Sequence, residues 1–320
     1  MKSTAKKIKF SQPESMRLDN FLAENFKTSR SQAQKMIEDN NISINTKPIN
    51  KSGAFLKNGD IVVIEKKPIE KLTVEEKKIT KKINYKINIV SATKDYLVVE
   101  KPSGLLSHPT EKNETDALST ILLKKYPELK KIGEDPKRPG IVHRLDKDAS
   151  GLMVVARTQK MFVHLKDQFK NRTIEKEYMV LVHSKVAKDW DEINFPLERS
   201  RTSERMAAIP LLNRGQITDS GKTALTEFWV EQRFVNFTLL RVKIHTGRMH
   251  QIRAHMLAYN HPVVGDPLYI QKKRKDKWDK ICGRLFLHCI HLSFIDLKNK
   301  RQTFTSALPE QLKKFLTLLT

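Results

Sequence analysis

A chain of 320 residues with 39% hydrophobic side chains is long enough for about two domains with sizeable cores. Its 60 Lys and Arg outnumber 36 Asp and Glu, a formal net charge of +24 that points to polyanions or anionic membranes as partners, although solubility alone also favours lysine. No apolar run reaches the roughly 18 residues of a membrane span, and two cysteines without a CxxC spacing exclude disulfide scaffolds and zinc ribbons.

Residues 15–66 form the first expected unit. "RLDNFL" sets Leu18, Phe21 and Leu22 on one helical face, and "SRSQAQKMIEDNN" sets Ala33, Met36 and Ile37 on another. Ser29 or Ser31 is the candidate N-cap of the second helix, and the Asn pair its end. "ISINTKPI" reads as a strand and turn, and "LKNGDIVVI" as a turn into a strand. Two short helices and a small hairpin suit a binding module better than an enzyme. The pattern resembles the S4 domain, a small α/β RNA-binding module. That resemblance implies a helix pair offering basic residues to structured RNA, with Arg17, Arg30 and Lys35 in the corresponding positions. Each is otherwise an ordinary solvated charge. Residues 67–83 are charged and free of glycine, with apolar residues too sparse for a core, and read as a linker.

Residues 84–320 form the second unit. "INIV", "YLVVEKP", "LMVVA", "EYMVLVH", "ALTEFWV" and "FTLLRVKIH" read as strands. "ALSTILLKKY", "QKMFVHLKDQF" and "MHQIRAHMLAY" carry apolar residues at helical spacing. Many strands and few helices predict an α+β domain with a mixed, largely antiparallel sheet flanked by helices.

"HRLDKDASG", residues 143–151, is the densest chemical stretch. Its D-x-D-x-S-G imitates the start of a calcium loop, but the twelfth position, which must supply a bidentate acid, is Arg157. Ser150 lacks the G-x-S-x-G setting of a hydrolase nucleophile, and His143 stands seven residues away across a turn. Asp, Ser and Gly together also suit a plain turn. Arg253 lies on or beside the stripe Met249, Ile252, Met256 and Tyr259. A guanidinium buried there needs a carboxylate; one at the edge of the stripe reaches solvent instead.

"KPSGLLSHP" (101–109), "PGIVHRLDKDASGL" (139–152), "KEYMVLV" (176–182) and "TGRMHQIRAHMLAYNHPVVGDPLY" (246–269) resemble, in order and spacing, the four motifs of RluA-type pseudouridine synthases. The resemblance implies the pseudouridine synthase fold and isomerisation of uridine in structured RNA, large-subunit ribosomal RNA foremost, with transfer RNA as the alternative. Asp146 matches the essential aspartate, which either attacks C1′ or removes a proton to give a glycal. Arg253 would supply its opposing charge. Tyr178 would stack on a uracil extruded from the RNA, its hydroxyl free to move a proton. Arg144 would hold the backbone or fill the vacated stack, and Lys101 with the flexible Gly104 would line the pocket floor. Alanine stands at 149 where the family usually has threonine.

No cofactor is expected, since neither a P-loop nor a dinucleotide fingerprint occurs. No metal is expected, because His143, His250 and His255 lack zincin spacing. The N-terminus has no apolar signal core, so a monomer in a reducing cytoplasm, acting on a ribosome precursor and not on a membrane, is the expected setting. A non-catalytic RNA-binding protein on the same fold is the competing class; loss of Asp146, Tyr178 or Arg253 would have favoured it, and all three are present.

Overall fold

The computed structural model describes residues 6–319 apart from 27, 29–32, 35, 38–39, 50–52, 67–84, 111–115, 201–204, 210–211, 214–215, 218–219 and 271–276. Arg30, Lys35, Ser29, Ser31 and the expected linker at 67–83 lie outside the described residues. The chain divides into two compact units, Met1–Ile83 and Asn84–Thr320.

In the first unit, Met16–Arg17 (β2) leads into helix α1 (Leu18–Asn25), which buries Leu18, Phe21 and Leu22 as their spacing predicts. Ala33 and Ile37 are helical and buried in the same core. The sheet is larger than the expected hairpin. Lys6–Lys9 (β1), Ile61–Lys66 (β6), Asn40–Ile44 (β3) and Lys47–Ile49 (β4) lie side by side in that order, while Phe55–Leu56 (β5) pairs with β2. Asn45 and Thr46, both at positive φ, make the two-residue turn between β3 and β4. The charged β1 gives no strand signal in sequence; the fully buried Phe10, edge-on to Phe21 at 5.4 Å, anchors its end.

The second unit is built on nine strands. Trp190–Ile193 (β11), Thr226–Arg233 (β16), Phe237–Ile244 (β17), Glu175–His183 (β10), Leu287–Ile295 (β18), Ser150–Ala156 (β9), Tyr96–Lys101 (β8) and Asn88–Ala92 (β7) follow in that order, with Arg301–Thr305 (β19) also on β18. Every pairing is antiparallel except β9 with β18. Two small hairpins, Leu197–Arg199 (β12) with Met206–Ala208 (β13) and Leu212–Asn213 (β14) with Gln216–Ile217 (β15), stand outside this sheet. Helices α2 (Leu118–Lys125) and α3 (Gln159–Lys170) bury leucines and aromatics against the main core. Thr158 caps α3 by accepting the Met161 N–H. Helix α4 (Gln251–Ala258) carries Arg253, and α5 (Lys277–Cys282) and α6 (Glu310–Thr317) complete the unit.

The expected α+β class and largely antiparallel sheet are present. Strand β18 is the element that joins the motif strands, and sequence patterning misses it. It is buried on both faces for much of its length, so it shows no period-two alternation. Cys289 stands opposite Tyr178 on one side and Gly151 on the other. Gly151 has φ +116°, and a Cβ there would lie 2.3 Å from the Cys289 carbonyl oxygen, so only glycine permits this approach.

Candidate active site

Asp146 lies in the turn that enters β9, and the segment 101–107 holds that turn from behind. Ser107 Oγ donates to the Leu145 carbonyl (2.9 Å) and accepts its N–H (3.1 Å). Ser103 Oγ donates to the Asp148 carbonyl at 2.6 Å. Lys101 Nζ donates to the carbonyls of Pro102 (2.9 Å), Leu105 (2.7 Å) and Lys147 (3.0 Å). The Gly104 N–H, presented at φ +84°, reaches the same Lys147 carbonyl at 2.8 Å.

These contacts correct the expectation that Lys101 and Gly104 line the pocket floor. Neither lines the cavity, and Lys101 is buried with its three N–H groups spent. Burial pushes its ammonium down to about 7, against the opposing pull of Asp146 and Asp148. Three carbonyl acceptors nonetheless require three donors, which only the charged form has.

Arg253 is buried, and so is every residue of α4 from Gln251 to Met256. The guanidinium therefore does not reach solvent from the edge of the helix, and the desolvated alternative is the observed one. Nη1 donates to Asp146 Oδ2 at 3.1 Å. The two-toothed grip goes elsewhere: Nε and Nη2 each reach a carboxylate oxygen of Asp266 at 2.7 Å. Asp266 is 2% exposed and also accepts the N–H groups of Leu268 and Tyr269. Burial disfavours the Arg253 charge, but Asp266, then Asp146, hold its pKa above that of an ordinary arginine. His250, in a left-handed conformation before α4, brings Nε2 to 4.0 Å from Asp146 Oδ1.

Asp146, Arg253, Tyr178 and Arg144 all line one cavity of about 530 Å³. Tyr178 is buried on β10, opposite Cys289 of β18. Burial, then Cys289 and Asp146, push that phenol well above its ordinary pKa, which favours a role for the ring over one as a base. Arg144 is exposed and forms no ion pair among the described residues. Arg138, Lys170, Arg172 and Arg248 extend the cationic lining. Sequence reading misses these four because they come from separate loops and helix ends. Arg17, in the other unit, gives Nε and Nη2 to the buried Asp19 at 3.0 Å each and is not a free charge.

Ser150 does meet a histidine, His288 at 2.8 Å, but both are buried outside the cavity and Arg284 also donates to the hydroxyl. His255 is occupied by Thr226 and the Phe195 carbonyl. His143 accepts the Val154 N–H on Nε2 at 3.0 Å, and burial pushes its pKa down to about 3.

A carboxylate held against an arginine at a cation-lined cleft fits an enzyme acting on a nucleic acid. Residues 95–258 match the family described as RNA pseudouridylate synthase, and residues 16–62 match the S4 domain. An uncharacterized RNA pseudouridine synthase of Aquifex aeolicus is 39% identical over 80% of this chain and 77% of that protein. The ribosomal large subunit pseudouridine synthase D of Yersinia pestis is 33% identical over 95% and 90%. The solved structure of human RNA pseudouridylate synthase domain containing 4 shares the fold at a TM-score of 0.59 and 22% identity, over 72% of this chain and 92% of that one. The chain belongs to the RNA pseudouridylate synthase family and is an RNA pseudouridine synthase that carries an S4 domain.

Proposed function

We propose that the enzyme converts uridine to pseudouridine in large-subunit ribosomal RNA, with Asp146 as its nucleophile and the target base extruded into the cavity. The observation that carries this reading is the Asp146 carboxylate, partly open to the cavity and held by Arg253 from behind. In the reaction the N1–C1′ bond breaks, the uracil turns, C5 joins C1′, and the C5 hydrogen leaves as a proton. Asp146 adds to C1′ or removes the 2′ proton; both need an ionised carboxylate beside the sugar. Arg253 opposes the cost of keeping that charge in a poorly solvated place. A base inside folded RNA must leave its stack to reach Asp146. Tyr178 then packs on it, and Arg144, Lys170 and Arg172 hold the flanking phosphates.

Ribosomal RNA is favoured by the name of the Yersinia relative, which spans nearly the full chain. The residues 15–66 act as the RNA-binding domain and 84–320 as the catalytic domain, in a cytoplasmic monomer working on a ribosome precursor. No helix among the described residues is long and apolar enough to cross a membrane. Tritium release from RNA labelled at uridine C5 tests the activity, and pseudouridine mapping in a deletion strain tests the substrate. Sites lost from transfer RNA alone would reassign the enzyme to that substrate.

A further inference from the structure

Lys176 and His143 both line the cavity, and neither Lys176 Nζ nor His143 Nδ1 has a protein acceptor among the described residues. Lys176 precedes Tyr178 by two residues on β10, so both side chains lie on one face of the sheet. Lys176 is buried, yet among the described residues its Nζ makes no hydrogen bond or ion pair. Its surroundings are the Phe169 ring, 5.3 Å away, the Cys289 thiol, and Gly247, where a Cβ would lie 3.9 Å from Nζ. His143 is the other partner of that ring, stacked on it with its centroid 4.8 Å from that of Phe169. Because Nε2 accepts from Val154, the neutral imidazole carries its proton on Nδ1, and that buried atom has no partner. Burial lowers the pKa of Lys176, with Cys289 opposing. Either form of the amine still donates N–H.

His143 Nδ1 is a buried donor without an acceptor, which is rare and costly, and Lys176 Nζ stands in the same cavity lining with no protein acceptor among the described residues. What enters must therefore bring acceptors to a depth that a flanking phosphate, held at the exposed Arg144 and Arg172, does not reach. On the reading of Asp146 given above, we propose that Lys176 and His143 receive the carbonyl oxygens of the flipped uracil and stabilise its negative charge while it is detached. The N1–C1′ electron pair departs with the base and spreads over N1, O2 and O4. C1′ is satisfied by an Asp146 oxygen, or by a C1′–C2′ double bond once Asp146 has taken the 2′ proton. Lys176 and His143 give no proton away. As C5 bonds to C1′ the pair returns: the Asp146–C1′ bond breaks, or the 2′ proton goes back from Asp146 to C2′, and water then takes the C5 proton and gives one to N1. Stabilisation of charge that exists only along the reaction is worth more to turnover than to binding.

The test uses large-subunit ribosomal RNA transcribed with uridine or with 5-fluorouridine, whose fluorine makes the uracil anion a better leaving group. Loss of the N-linked nucleoside is followed in single turnovers at saturating RNA for the wild type, Lys176→Met, His143→Phe and Asp146→Asn. For Lys176→Met, the uridine rate should fall about 100-fold or more with RNA affinity little changed. The loss on 5-fluorouridine should be smaller by about tenfold. His143→Phe, which keeps the stack on Phe169, should show the same pattern more weakly. Equal losses on both RNAs, or a loss of affinity alone as expected for a phosphate site, would overturn the proposal, as would an unimpaired Lys176→Met. Met keeps the stem and removes an uncompensated charge, so the melting temperature should hold or rise; a fall means that the amine already has a partner and also counts against the proposal. Asp146→Asn separates the two readings, since an active Asp146→Asn overturns the nucleophile and not the recess.

Discussion

Arg253 gives its two-toothed grip to Asp266 and only a single N–H to Asp146. The acid that fixes the arginine is thus distinct from the one open to substrate. Asp266 is sealed, whereas the Asp146 side chain is 16% exposed. The expected stabilities follow from that division. Arg253→Met strands a buried carboxylate at Asp266 and should cost about 3–5 kcal/mol. Adding Asp266→Leu should restore much of the loss, and adding Asp146→Leu little. Double-mutant cycles by denaturant titration should give a coupling above about 2 kcal/mol for Arg253 with Asp266 and below about 1 kcal/mol with Asp146. The reverse order would mean that the fork serves Asp146.

Asp146→Asn should leave the fold nearly intact, because Arg253 keeps Asp266. The amide preserves shape but neither attacks C1′ nor takes a proton. Tritium release should fall by about three powers of ten or more with RNA affinity retained. A rate within about tenfold of wild type would remove Asp146 from the chemistry.

Helical spacing placed Arg253 on or beside a buried stripe without deciding between a carboxylate partner and solvent, and the family resemblance made Asp146 the expected partner. That inference was incomplete. One guanidinium has five N–H donors and can serve two acids, and spacing along a helix does not say which acid on a distant loop meets which tooth. Lys101 was misplaced for a related reason. A lysine in a motif looks the same in sequence whether it faces phosphate or caps three carbonyls. The strands flanking the site were readable because they alternate or carry β-branched runs. Strand β18, buried on both faces, was not, and Cys289 and the close contact at Gly151 went unseen with it.

Lys101→Met should weaken the turn that carries Asp146. Three carbonyls lose this donor, and of them that of Lys147 keeps the Gly104 N–H. A stability loss of about 2–4 kcal/mol is expected from the unmet acceptors. Turnover should drop more than RNA affinity, since the residue touches the loop and not the cavity. A fall in affinity alone would return Lys101 to RNA binding.

Removing residues 1–83 should leave a folded and slower enzyme, because the hydrophobic clusters of the two units share no residue. The lost module takes phosphate contacts with it, so log affinity should fall less steeply with log salt, by about 0.7–0.9 for each contact removed. Filter binding across a salt series measures the slope. An unchanged slope would show that the module does not touch phosphate.

Stability should fall with acid through three histidines whose charged forms the fold disfavours. Burial pushes His143 down to about 3 and His108 and His288 to about 4, with Arg138 and Arg144 adding to the effect on His108 and Arg284 on His288. In the unfolded chain each returns to about 6.5. Between these values the unfolded state binds more protons than the folded one. The neutral rings therefore stabilise the fold fully above pH ~6.5, and the contribution is lost as pH falls toward the folded values, at up to about 1.4 kcal/mol per pH unit for each ring. His143→Phe keeps the stack on Phe169 and removes one titrating group, so its stability should depend less on pH than that of the wild type. From pH 7 to pH 5 the difference between the two proteins should shrink by about 2 kcal/mol, read from urea midpoints. A gap that stays constant, or widens, would mean that His143 is already protonated in the fold and has found an acceptor for its Nδ1 proton.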